Sequence, residues 1–200
     1  MYLSISSNLS QFMRTMITKS SFILVFVLAL GASVSVFAQD THTDNHTITI
    51  DIPAVSLLDL ESSGSKNISA AFIQPLPLEA GDRITAPVAN TTLWLNYSSI
   101  QNVKTKRVDV KSSALIDGVD VNLVAGASGT GFGTKGAPTA GFKLSLTDQV
   151  LINDIGSAYT VSGPNNGHPL TYSFAALDAN YGALRSGSHV ITVTYTLLEN

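Results

Sequence analysis

Apolar and polar positions alternate with period two along most of this chain. The run Ser188–Leu197 places Ile191, Val193, Tyr195 and Leu197 on one face, and Val190, Thr192, Thr194 and Thr196 on the other. Such alternation, rich in β-branched and aromatic residues, predicts a strand with one buried face. Leu170, Tyr172, Phe174 and Ala176 repeat the pattern upstream. So do Thr92–Tyr97, Lys104–Ser112 with Val108 and Val110 inward, Val119 to Leu123, Phe142 to Leu146, and Val150–Ile152. Nearer the start, Thr47–Ile52 sets Ile48, Ile50 and Ile52 on one face and stops at Pro53, which fits a strand end or an edge. Ala54–Leu60 resumes with a change of phase between Leu57 and Leu58 that predicts a bulge, and Asn67–Ile73 reads as another strand.

Turn chemistry separates these runs. Asp117-Gly118, Asn165-Asn166-Gly167 and Ser186-Gly187 tolerate positive φ. Gly126–Gly141, with six glycines in sixteen residues, is expected to be the least regular part. Ala175–Leu184 has room for one helical turn, and no longer amphipathic helix is legible. About eight to ten short strands at even spacing predict an all-β fold, an antiparallel immunoglobulin-like β-sandwich, with a barrel as the alternative.

The first segment obeys a different rule. Met1–Ser20 carries Arg14 and Lys19 and no acid, Ser21–Val36 is apolar, and Val36-Phe37-Ala38 puts short residues before Gln39. That order is a signal peptide, residues 1–38, cleaved after Ala38 to leave a single domain of residues 39–200. The strongly apolar stretch Phe22–Leu30 is too short to span ~30 Å of hydrocarbon, so no membrane span is expected after cleavage. The expected location is secreted, periplasmic or on the cell surface. Cleavage removes Arg14 and Lys19, two positive charges, and takes the formal charge from −3 to −5.

Composition agrees. Charged residues make up 12% of the chain, against about 25% in average soluble domains. Ser and Thr fill the polar positions instead, as suits the solvent face of strands. The acidic balance argues against a nucleic-acid partner, whose binders carry a basic face. With no cysteine, disulfides and thiolate chemistry are excluded.

Candidate chemistry is sparse. Gly131-Phe-Gly-Thr-Lys-Gly136 fits G-x-G-x-x-G, but a proline and another strand follow where a dinucleotide site needs a helix. His42 and His46, with Asp40 and Asp44, have metal-ligand spacing only on a helix, which nothing around them supports. Asp117, Asp120 and Asn122 offer oxygens for Ca²⁺ without EF-hand spacing. No nucleophile elbow surrounds any serine, and the acids Asp148, Asp154, Asp178 and Glu199 are scattered singly. The expectation is a non-enzyme with no cofactor and no metal. Phe132, Tyr159 and Tyr181 are the loop aromatics available for ligand contact.

Leu93-Trp-Leu-Asn-Tyr-Ser-Ser99, Asn165-Asn-Gly-His-Pro-Leu-Thr-Tyr-Ser173, Tyr181-Gly-Ala-Leu-Arg185 and Val190-Ile-Thr-Val-Thr-Tyr-Thr-Leu197 resemble a group of small secreted proteins from Bacteroidetes-type bacteria. That resemblance implies export and an all-β fold and adds no catalytic residue. The closing strand, with Tyr195 near its end and Gly182 upstream, is also similar to bacterial fimbrial subunits. These are immunoglobulin-like sandwiches completed by a neighbour's N-terminal strand; this chain departs from them in lacking the disulfide many carry. The resemblance implies a structural or adhesive, fimbria-like protein that pairs with itself or another envelope protein by strand addition. Ile48, Ile50 and Ile52 would be the exchanged segment, unless Thr47–Ile52 pairs within its own domain. The alternative is a module that binds glycans or another extracellular ligand.

Overall fold

The computed structural model describes residues 43–200; the predicted signal peptide and His42 lie outside them. Contacts divide the chain between Ile50 and Asp51. Of the first unit, Thr43–Ile50 is described and holds no helix or strand.

The second unit is all-β. Its nine strands are β1 (Val55–Ser62), β2 (Asn90–Ile100), β3 (Lys106–Ser112), β4 (Asp120–Ala125), β5 (Phe132–Pro138), β6 (Phe142–Lys143), β7 (Gln149–Tyr159), β8 (His168–Ala175) and β9 (Val193–Glu199). A 3-10 turn at Asp178–Ala183 falls inside the span where one helical turn was expected. The strands form one antiparallel hydrogen-bonded sheet in the order β6-β4-β8-β2-β7-β3-β9, with β1 on β2 and β5 on β7.

β2 is where the sheet bends. One of its edges pairs with β1 over its full length, Leu93–Ile100 against Ser62–Val55. The other edge pairs first with β8, through Leu95 and His168, and then with the end of β7, through Ser98 and Tyr159. A strand that changes partner along one edge cannot sit in a flat sheet. β8 and β9 stand four places apart in the sheet order, yet the Tyr172 and Tyr195 hydroxyls are hydrogen-bonded. The sheet therefore curls over one core.

That core follows the alternation. Leu93, Leu95 and Tyr97 from β2, Val108 and Val110 from β3, Leu123 from β4, Leu151, Ile152 and Ile155 from β7, and Leu170 and Tyr172 from β8 are all buried. Each large aliphatic chain removed from water contributes about 1.5–3 kcal/mol before entropy is counted.

Several expectations need correction. Thr47–Ile52 is not a strand of this domain: it carries no strand assignment, and Ile48, Ile50 and Ile52 are 71%, 77% and 73% exposed. No bulge interrupts β1; its register with β2 is unbroken, and Leu57 turns outward while Leu58 and Leu60 pack on the core. Asn67–Ile73 makes only a single bridge, Ile73 with Thr85. The glycine-rich stretch is irregular only outside Phe132–Pro138. It contains β5, and its glycines let that strand lie flush on β7. A Cβ on Gly133, at φ +89°, would sit 2.2 Å from the Ser157 carbonyl oxygen. β6 is shorter than predicted because the chain leaves β4 after Leu144, and the Ser145 carbonyl accepts from Ser112 N–H at the end of β3. β7 is longer than predicted. Asp154, at φ +57°, adds the extra residue where its register with β3 slips, so Asn153-Asp154 interrupts the pattern without ending the strand.

Candidate assembly edge and aromatic patch

A sheet with four edge strands must manage unpaired N–H and C=O groups at each. β6 is two residues long, and β5 is glycine-bearing and largely exposed. β1 and β9 differ. They are eight and seven residues long, and each pairs on one side only among the described residues, β1 with β2 and β9 with β3.

The inward faces of these two edges are apolar and incompletely covered. Leu58 and Leu60 on β1, and Val193, Tyr195 and Leu197 on β9, pack against the core while remaining half-buried. Their partners one strand further in, Leu95 and Tyr97 on β2 and Val108 and Val110 on β3, are buried. The loss of cover is confined to the outer strand of each pair.

One end of this region is polar. Lys106, 5% exposed, donates its ammonium to the Val55 carbonyl at 2.5 Å. It stands across from Glu199, which is exposed. The start of β1 and the end of β9 thus meet at a buried cation. At the other end, Ile191 is half-buried beside Leu115, Ile116 and Leu144, which line a small cavity.

The aromatic candidates separate. Phe132 and Tyr159 are register partners on β5 and β7, with ring centroids 6.1 Å apart at 49°. They are 74% and 48% exposed, so both present ring surface to solvent. Tyr181 is not part of this patch. It lies on the 3-10 turn, where Arg83 sits 6.0 Å from its ring and its hydroxyl accepts from Ile84 N–H at 3.2 Å. Arg83 also pairs with Asp178 at 2.8 Å, so Tyr181 ties down the long β1–β2 connection.

Sequence reasoning missed a buried polar cluster. His168, fully buried, sets Nδ1 2.8 Å from the Gly126 carbonyl and Nε2 2.9 Å from the Tyr97 hydroxyl, which also lies against the Lys135 carbonyl. Burial holds the His168 pKa below its ordinary value, against the opposite pull of the Gly126 and Lys135 carbonyls. The Lys135 ammonium in turn meets the carbonyls of Ser128 and Thr130 at 3.0 and 2.7 Å. These contacts fasten the Gly126–Gly136 segment to β2 and β8. The one signal in the sequence was His168 standing two residues before the inward Leu170, hence on the core face.

Other polar candidates are engaged locally. Asp120 is paired with Lys143, and His189 meets the Arg185 carbonyl at 3.0 Å. Among the described residues, no three His, Asp or Glu lie close enough to share a metal ion.

No family model matches this chain, and neither the curated proteins nor the solved structures contain a significant match.

Proposed function

We propose that this is an exported, non-catalytic structural protein that assembles with copies of itself by strand addition at the β1 and β9 edges. In this reading the curled sheet is an immunoglobulin-like sandwich short of one strand. The observation that carries it is complementarity. Two long edges leave an alternating apolar face half-covered, and Ile48, Ile50 and Ile52 offer an alternating apolar face that is exposed. Strand addition gives affinity through main-chain hydrogen bonds and selectivity through pockets for every second side chain. Extended, Thr47–Ile52 reaches roughly 20 Å, close to the roughly 23 Å of β9. The leader-like residues 1–38 support export, and the likeness of the closing strand to fimbrial subunits supports the same assembly.

The test is light scattering on the full chain, purified after its own processing, across a concentration series. Oligomers that disappear when Ile48, Ile50 and Ile52 are all replaced by Ser support the proposal. A monomer at every concentration overturns it.

A second reading rests on the Phe132–Tyr159 patch. Two exposed rings on adjacent strands offer flat apolar surface to a sugar ring, and an extracellular glycan is the ligand class it would take. Binding in a glycan screen that Phe132→Ala abolishes would support it; absence of binding would remove it.

A further inference from the structure

Resting on the assembly reading above, the geometry points to one sense and one register for the incoming strand, and we propose both. The segment His46–Ile52 of a second copy runs antiparallel to β9, with Ile48 opposite Leu197, Ile50 opposite Tyr195 and Ile52 opposite Val193.

Parity supplies the first constraint. Val193, Tyr195 and Leu197 share the face of β9 that packs on the core, because their partners Ser112, Val110 and Val108 point inward. Three apolar side chains at period two meet three others only in two ways, one antiparallel and one parallel. Any slip by a single residue would turn Ile48, Ile50 and Ile52 to solvent.

Three observations decide between the two. The antiparallel register carries His46 opposite Glu199, at the polar end where Lys106 is buried on a single carbonyl. The parallel register carries His46 to Ile191, in the apolar end beside Leu144 and Ile116. Pro53 gives the second. Antiparallel, it falls opposite Thr192, just outside β9; parallel, it falls opposite Leu198, within the strand, where a residue without an N–H breaks the ladder. Ala54 gives the third: antiparallel it meets Ile191, and parallel it meets the charged Glu199. Every flanking residue favours the same sense.

The absence of cysteine from the chain makes a direct test clean. Residues directly opposite across antiparallel strands bring their Cβ atoms about 4.5–5.5 Å apart, near enough for a disulfide to close with a small adjustment. Two full-length double variants are oxidised under mild conditions: Ile48→Cys with Leu197→Cys, and Ile52→Cys with Leu197→Cys. A third, Ile52→Cys with Val193→Cys, repeats the first test at the other end. We expect intermolecular cross-links in the first and third and at least tenfold less in the second. Cross-linking confined to the second overturns the antiparallel register while strand addition stands. Equal, weak cross-linking in all three, with oligomers still seen by light scattering, overturns any fixed register at β9. No cross-linking together with a monomeric protein overturns the assembly reading itself.

Discussion

The hydroxyls of Tyr172 and Tyr195 are hydrogen-bonded to each other, joining β8 to β9 across the core. Both groups are shielded from water, and burial is the main cause that raises both pKa values. Tyr172 is pushed up to about 12 and Tyr195 beyond the ordinary tyrosine range. Removing one hydroxyl leaves the other buried without its partner. Tyr172→Phe and Tyr195→Phe should each cost about 1–2 kcal/mol in urea unfolding, and the double variant clearly less than their sum. Additive losses would mean that the two hydroxyls do not depend on each other.

The same pair fixes behaviour in alkali. A tyrosine whose folded pKa lies above its unfolded value of 10 contributes no pH-dependent loss below pH 10, where both states are protonated. Above it the unfolded chain ionises first, and stability falls as pH rises toward the folded pKa. We expect tyrosinate absorbance from Tyr172 and Tyr195 to appear together with unfolding, not before it. Titration of Tyr172 and Tyr195 while the protein is still folded would contradict their burial.

His168 sets the acid side with the opposite sign. Its folded pKa lies below the ordinary 6.5, so above that value both states are neutral and the group is silent. As pH falls through about 6.5 the unfolded chain takes up a proton that the folded ring refuses, and stability declines. Tyr97, whose pKa burial raises above its ordinary value, is the titratable group hydrogen-bonded to it and stays neutral in this window. His168→Gln should lower stability at pH 7 yet flatten its slope between about pH 7 and pH 5. An unchanged slope would place that proton uptake on another histidine.

How much of this was legible beforehand depended on whether a residue's role was local. β2, β3, β4 and β8 follow from side-chain alternation, because each has one buried face. β5 was not legible. Its regularity comes from backbone laid against β7, so glycine, which marks loops elsewhere, marks close approach here. Thr47–Ile52 shows the reverse error: the pattern of a strand is present, but an alternating face becomes a strand only when an edge receives it. Phe132 and Tyr159 were named from sequence as loop aromatics, but they stand on β5 and β7, and their adjacency is a register fact that only the pairing of those strands supplies.

Gly133 and Gly182 test that account of glycine. Gly133→Ala must accept a left-handed φ of +89° and a Cβ 2.2 Å from a carbonyl oxygen, so a loss above about 2 kcal/mol is expected. Gly182 has nothing within 4 Å of such a Cβ and no positive φ, and Gly182→Ala should stay within about 0.5 kcal/mol of the parent. Equal effects at the two sites would show that β5 does not lie flush on β7.

Period two gives the sharpest distinction at the exchanged segment. Ile50 and Thr49 are adjacent and exposed, so a charge at either position leaves the packing within the β-sheet domain untouched. In a strand added to β9 they part company: Ile50 enters the half-covered face beside Tyr195, and Thr49 faces water. A carboxylate buried there without a partner would weaken association by several kcal/mol, whereas one in water would be nearly neutral. Ile50→Asp should therefore abolish oligomers in light scattering, and Thr49→Asp should leave them intact. Equal loss from both would point to non-specific contact through a sticky segment, and equal retention would place the interface elsewhere on the molecule.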